Sequence, residues 1–290
     1  MPAVGGLPIE SRPVTRATLV RLIAAILVLT AVLAVPMTQI HWDGTQGSTQ
    51  ADKIDTLLNV MIVLSSFVFS IVLVMLGYCI WRYRAKPGDE ADGEPIHGHT
   101  RLEITWTAIP TIIVLFGAVY SAIVLADIEK KSSDALPVDV VGQQYKWSFG
   151  YPVGHGNEVH SDVLNVPVGR QLTLTLQSID VVHSFWVPQW RIKRDVVPAG
   201  PSGNHIDNHV VVTPDKVGTY YVICTELCGY GHATMRALVH VWPQHRFNGW
   251  LQNQEQAQAK GGGPPFPTVE TSTAGQTSTS PAGTPTSASG

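Results

Sequence analysis

Charged side chains are scarce in this 290-residue chain: Asp, Glu, Lys and Arg make up 14%, against about 25% in ordinary soluble domains. The shortage is uneven. Residues 57–81 form a run of 25 without charge, and residues 104–126 a run of 23. Each exceeds the roughly 20 residues that span a bilayer core, which excludes a purely soluble protein. An excess of positive charge is also missing. The net charge is −3, which excludes a basic nucleic-acid binder. Cysteine is rare, with only Cys79, Cys224 and Cys228, which argues against a disulfide-stapled extracellular domain. No Cys-x-x-Cys-His sequence occurs, so there is no fused c-type haem attachment site. Internal repeats are absent.

What is present divides along the chain. Residues 1–41 hold a polar start with Arg12, Arg16 and Arg21, followed by 19 uncharged residues from 22 to 40. Two readings stand: a signal peptide with Val32-Leu33-Ala34 as cleavage site, or a first membrane helix. Residues 55–128 read as a transmembrane helical hairpin. Its connecting loop, 82–103, carries Arg82, Arg84, Lys86 and Arg101, whereas the loop 41–56 carries only Lys53. The positive-inside rule places the connecting loop in the cytoplasm and everything after Asp127 outside. Asn59, Ser65, Ser66, Ser70 and Gly77 offer small or polar positions for packing against a partner helix.

The outer half reads as β. Gln171-Leu-Thr-Leu-Thr-Leu-Gln177 alternates with period two, as a half-buried strand does. Residues 137–141, 209–213, 218–223 and 236–241 are further short apolar runs, separated by Pro, Gly and Asp turns. Together they predict a small β-sandwich or barrel over 135–243, with a short amphipathic helix over 244–258. Residues 261–290 are Gly, Pro, Ser, Thr or Ala at 26 of 30 positions. Such a segment buries too little apolar area to offset its ordering entropy and reads as a disordered tail.

Chemistry concentrates in Cys224-Thr-Glu-Leu-Cys228-Gly-Tyr-Gly-His232-Ala-Thr-Met235. Two thiols, an imidazole and a thioether fall within 12 residues. Soft thiolate and thioether donors suit Cu(I), and imidazole serves both copper oxidation states. One Cys, one Met and two His would make a mononuclear blue-copper site; the second Cys allows two thiolates to bridge two copper ions. The further imidazole is assigned to His183, in Asp180-Val-Val-His-Ser-Phe-Trp-Val-Pro188. A Cys224–Cys228 disulfide would leave the spacing of His232 and Met235 unexplained. A zinc site favours Cys-x2-Cys and does not use Met.

These residues resemble subunit II of the haem-copper respiratory oxidases, cytochrome c oxidase in particular. The resemblance runs from about 55 to 243. It includes Glu103-Ile-Thr-Trp106-Thr107-Ala-Ile-Pro110, Gln144-Tyr145-Lys146-Trp147-Ser148, residues 180–188 and the cysteine loop. It implies a membrane-anchored α + β chain in which the helical hairpin precedes a cupredoxin-like β-domain with a dinuclear copper centre, CuA. By resemblance, Cys224 and Cys228 are the bridging thiolates. His183 and Met235 serve one copper; His232 and the backbone carbonyl of Glu226 serve the other. The Glu226 side chain matches a carboxylate that helps hold magnesium shared with subunit I. Glu103 matches the mouth of a proton pathway, with a helix-end acid stabilised by the macrodipole as the competing reading. Tyr145 and Trp147 match the region of electron uptake, but Tyr145 stands where many members have tryptophan.

The implied function is that of the electron-accepting subunit of a proton-translocating oxidase in a bacterial or equivalent energy-transducing membrane. A c-type cytochrome is the implied donor, and haem in subunit I the acceptor on the way to oxygen. Asp180, Glu226 and Asp195 are expected to contribute acidic surface near the site, and Trp186 and Trp190 an apolar docking centre or core packing. The alternatives are a copper-bearing nitric oxide reductase subunit and a membrane-anchored copper carrier. A quinol oxidase subunit is disfavoured, since such subunits lack the copper ligands.

Overall fold

The computed structural model describes residues 14–40, 42–84, 88, 97–154, 157–198, 207–262 and 267. The expected tail lies outside the described residues apart from 261, 262 and 267. The chain forms two compact units. One comprises the N-terminal helices together with residues 188–191; the other comprises 132–187 and the remainder from 192.

The first unit contains three long helices, α1 (Arg16–Gln39), α2 (Thr49–Tyr83) and α3 (Thr100–Ile128). Each is long and apolar enough to cross a membrane. Their apolar side chains face outward, among them Ile104, Ile112 and Val114, all more than 60% exposed. Such a surface requires lipid or neighbouring helices rather than water. α2 starts six residues before the expected hairpin boundary at 55. Its polar first turn is held by Ser48, whose hydroxyl accepts the Ala51 N–H at 3.1 Å, an N-cap that the apolar pattern does not register. Hydroxyls within the apolar helices fold back onto the preceding turn: Thr107 donates to the Glu103 carbonyl and Ser70 to the Ser66 carbonyl. This satisfies them where water is absent.

At the start of α3, His99 Nδ1 accepts the Leu102 N–H, and the Glu103 carboxylate accepts the His99 N–H at 2.9 Å. Glu103 is therefore engaged in a reciprocal helix cap. In the same unit, the Arg191 guanidinium donates to both carboxylate oxygens of Asp55, at 2.8 and 3.1 Å, and to the Asp43 and Gly44 carbonyls.

The second unit is a sandwich of two five-stranded sheets. The first runs β3 (Asn157–Ser161), β2 (Lys146–Gly154), β1 (Leu136–Gln143), β5 (Leu172–Ser178) and β8 (His209–Val212). The second runs β4 (Leu164–Pro167), β10 (Arg236–Trp242), β9 (Gly218–Cys224), β6 (His183–Val187) and β7 (Ile192–Val196). β1 pairs with β5, and β4 with β10, in parallel; the other pairs are antiparallel. Val138, Val140, Leu172, Leu174 and Phe149 of one sheet and Val222, Val239, Phe185 and Val187 of the other are fully buried. This layer of aliphatic and aromatic side chains is the core. α4 (Gln244–Ala259) closes one side, with Phe247 buried and Trp250 edge-on to Tyr151.

Candidate metal centre

Strand pairing explains how distant residues meet. β9 ends at Cys224 and β10 begins at Arg236, so residues 225–235 form the loop of an antiparallel hairpin. The Cys224 N–H donates to the Met235 carbonyl at 3.1 Å, closing the loop base. β6 lies on the other side of β9, with Phe185 opposite Cys224 and the Thr225 N–H donating to the Ser184 carbonyl. His183, the first residue of β6, thus sits beside the first cysteine. A short helical turn at His232–Thr234 folds the imidazole of His232 back toward the second.

The resulting cluster holds six donor atoms. The Cys224 and Cys228 thiols are free and their Sγ atoms lie 3.9 Å apart. Cys224 Sγ is 3.8 Å from His183 Nδ1 and 3.3 Å from the Glu226 carbonyl oxygen. Cys228 Sγ is 3.7 Å from His232 Nδ1 and 3.8 Å from Met235 Sδ. His183 and Met235 are completely buried and both cysteines nearly so, while His232 sits at the solvent edge. Six donors exceed the four of a tetrahedral soft-metal site. Each sulfur is flanked by two of the other donors, which suits two ions sharing two thiolates. The donor chemistry, sulfur and imidazole with one carbonyl, is that of copper. Burial pushes the Cys228 thiol up to about 11, with Cys224 adding to the effect, so a metal must displace its proton.

The walls are apolar. Trp147 is buried and stands edge-on to both His183 and Phe185, with centroids 6.0 and 5.7 Å away. Gly142 admits this packing: a Cβ there would lie 3.0 Å from the His183 ring and 3.2 Å from Trp147. Tyr145 is different, being 38% exposed. Its ring lies on the loop glycines, so that a Cβ at Gly231 would fall 2.4 Å from ring carbons and one at Gly229 would fall 2.6 Å from the hydroxyl. Gln144 Nε2 donates to the Cys228 carbonyl at 2.5 Å. Leu227 and Tyr230 project from the same loop into solvent.

Several expectations shift. Asp180 lies at the surface as expected, but its carboxylate is engaged. Its carboxylate accepts hydrogen bonds from His183 Nε2, the Val181 N–H and the Gln144 N–H, at 2.8, 2.7 and 2.7 Å. Partial burial raises its pKa, but the hydrogen bonds from Gln144, His183 and Val181 outweigh this and hold it below the usual carboxylate value. Trp190 is completely buried, which removes it from any docking surface, and Trp186 is half-buried. Asp195 and the Glu226 side chain are exposed. Sequence reasoning missed Gln144, Leu227 and Tyr230 as parts of the site. The two glycines spaced by one residue around Tyr230 were the signal that something packs on the loop.

Comparison with known proteins matches both units. The family described as cytochrome C oxidase subunit II, transmembrane domain, matches residues 34–124, and its periplasmic domain matches residues 154–241. Cytochrome c oxidase subunit 2 of Thermostichus vulcanus is 34% identical over 268 residues, covering 74% of this chain and 79% of that one. The protein of the same name from Synechocystis sp. is 32% identical over 251 residues, covering 70% and 73%. Among solved structures, the periplasmic domain of subunit II of cytochrome oxidase from Bradyrhizobium japonicum is 25% identical. It covers 44% of this chain and 97% of that one, with a TM-score of 0.39.

Proposed function

Because the chain belongs to the cytochrome c oxidase subunit II family, we propose that it is the electron-accepting subunit of a respiratory oxidase. In this reading it takes single electrons from a c-type cytochrome outside the membrane and delivers them to haem in subunit I, where oxygen reduction is coupled to proton translocation. The cupredoxin-like unit is the outer domain, and the apolar helices anchor it in the membrane among the partner subunits.

The observation that carries this reading is the convergence of six donors on two free thiols. Cys224 and Cys228 would hold two copper ions between them, with His183 and Met235 completing one position and His232 and the Glu226 carbonyl the other. When bound, the copper pair supplies one-electron redox chemistry with little rearrangement. The protein's own contribution is to hold these donors rigidly on paired strands. Trp147 and Phe185 exclude water from the His183 side. Tyr145, seated on Gly229 and Gly231, and the exposed Leu227 and Tyr230 of the cysteine loop offer aromatic and apolar surface to a donor. Trp147 is buried against His183 and Phe185 and acts from within. The exposed Glu226 carboxylate is available for a magnesium ion shared with subunit I. The cap geometry at Glu103 supports the helix-end role, and the proton-pathway role rests on the resemblance.

Nothing observed favours the nitric oxide reductase or the copper carrier. The test is the copper content of the full chain after loading and extensive dialysis. Two ions per chain are expected, falling when Cys228 is replaced by Ser. A single retained ion in the unaltered chain would refute the dinuclear assignment.

A further inference from the structure

We propose that Asp180 is a positioning residue that holds the two sides of the metal centre in register before any metal binds. The proposal rests on the copper reading above and deepens it. Asp180 lies in the loop between β5 and β6, three residues before His183, and it receives hydrogen bonds from two separate parts of the site. Oδ1 accepts from His183 Nε2 at 2.8 Å, and Oδ2 accepts from the Gln144 N–H at 2.7 Å. The turn thus held carries the Gln144 side chain, whose Nε2 donates to the Cys228 carbonyl. One carboxylate therefore reaches the imidazole directly and the cysteine loop through one residue.

The chemistry of the contact fixes a proton. A carboxylate only accepts, so His183 Nε2 must carry hydrogen. With Nε2 so engaged, Nδ1 is the ring atom left for the metal, and it faces Cys224 Sγ at 3.8 Å. Because the His183 ring is completely buried, Asp180 serves Nε2 in place of water, and D180A leaves that N–H to whatever water enters the vacated space. Asp180 is itself at the surface, and its hydrogen bonds to His183 and Gln144 are what distinguish this role from that of a docking charge.

Three variants separate the possibilities. D180A removes both contacts. D180N keeps an oxygen that serves either His183 or the Gln144 N–H, but not both. Q144A cuts only the link to Cys228. The first readout needs no copper: nitrogen NMR of the copper-free full chain at neutral pH, with labelled histidine. Nε2-protonated His183 is expected in the unaltered protein, with slow exchange of that proton, and faster exchange in D180A. The second readout is copper affinity. Removing such an outer partner typically costs about 10–100-fold, so D180A should lose that much, D180N and Q144A less. The reduction potential should rise in D180A, because a less basic imidazole stabilises the oxidised ion less.

A His183 protonated only on Nδ1, or variants with unchanged exchange, affinity and potential, would overturn the proposal. If D180A does not fold, D180N alone decides it by the same readouts. Variants that changed only the salt dependence of reduction by a cationic cytochrome would also overturn it, in favour of a docking role. If the unaltered chain bound no copper, the copper reading would fail while the NMR result still judged the tie.

Discussion

Substituting Gly231 by Ala should slow electron uptake without emptying the metal centre. The backbone at Gly231, with φ −87° and ψ 5°, is open to alanine, so the effect is steric. The new Cβ would lie 2.4 Å from two ring carbons of Tyr145 and 2.9 Å from a third. Carbon atoms settle at about 3.5–4.0 Å, so the ring must retreat by about 1–1.5 Å. The overlap reaches Cγ, the root of the Tyr145 ring, so relief needs the whole side chain or the loop to shift, which places the packing cost near the high end of about 1–3 kcal/mol. Alanine also lowers the entropy of the unfolded chain, recovering about 0.4–1 kcal/mol. Net stability should therefore fall by about 2–2.5 kcal/mol, lowering Tm by several degrees. Displacement by about 1 Å in a positioned reaction can cost up to about 100-fold. Stopped-flow reduction by a c-type cytochrome, with copper absorption followed alongside, measures the effect. G231A and Y145A should slow uptake to the same extent, and the double variant no further. Unaltered uptake in G231A with the ring shown to be displaced would refute the role given to Tyr145. Loss of copper in G231A would show that the loop itself had been disrupted.

Met235→Leu should retain copper and fold with less than about 1.5 kcal/mol of destabilisation, because the swap conserves volume. Its potential should nevertheless shift, and unchanged spectra and potential would show that Met235 is not a ligand. Copper loading of the free-thiol form should be pH-dependent. The Cys228 thiol is pushed up to about 11, so below that value each unit of acidification should weaken apparent affinity about tenfold for that proton. A competition titration with a chelator of known affinity at pH 6 and pH 8 checks this, and equal affinities would contradict it. Glu103→Gln in the assembled oxidase should leave copper reduction intact. Normal turnover would leave Glu103 with its helix-end role alone, whereas slowed proton uptake would support the pathway role.

The legible parts of the fold were those written in local patterns. Uncharged runs revealed the membrane helices, and period-two alternation revealed β5. β1, β8, β9 and β10 likewise fall on the short apolar runs read from the sequence. β2 escaped because Trp147, Ser148, Phe149, Gly150 and Tyr151 are all buried, which erases alternation. β4 is buried at all four positions, and β3 and β7 carry the polar residues of short strands. In the metal centre, the cysteine loop was legible because its donors are close in the chain. His183 was reached from its apolar surroundings, and its pairing with Cys224 depends on β6 lying beside β9. The inward use of Asp180 and the seating of Tyr145 on Gly229 and Gly231 arise from tertiary contacts among β1, β2 and the two loops. The paired glycines mark that something packs on the loop, but no spacing rule names the residue that does. For Trp190, where the sequence leaves docking and core packing both open, the structure shows core packing.

The central claim is that two thiolates share two copper ions, and electron paramagnetic resonance of the copper-loaded full chain tests it most directly. An unpaired electron shared between two equivalent copper nuclei is predicted, giving a seven-line hyperfine pattern. A four-line pattern from one copper nucleus, or a silent sample in which Cys224 and Cys228 are bonded to each other, would contradict the account.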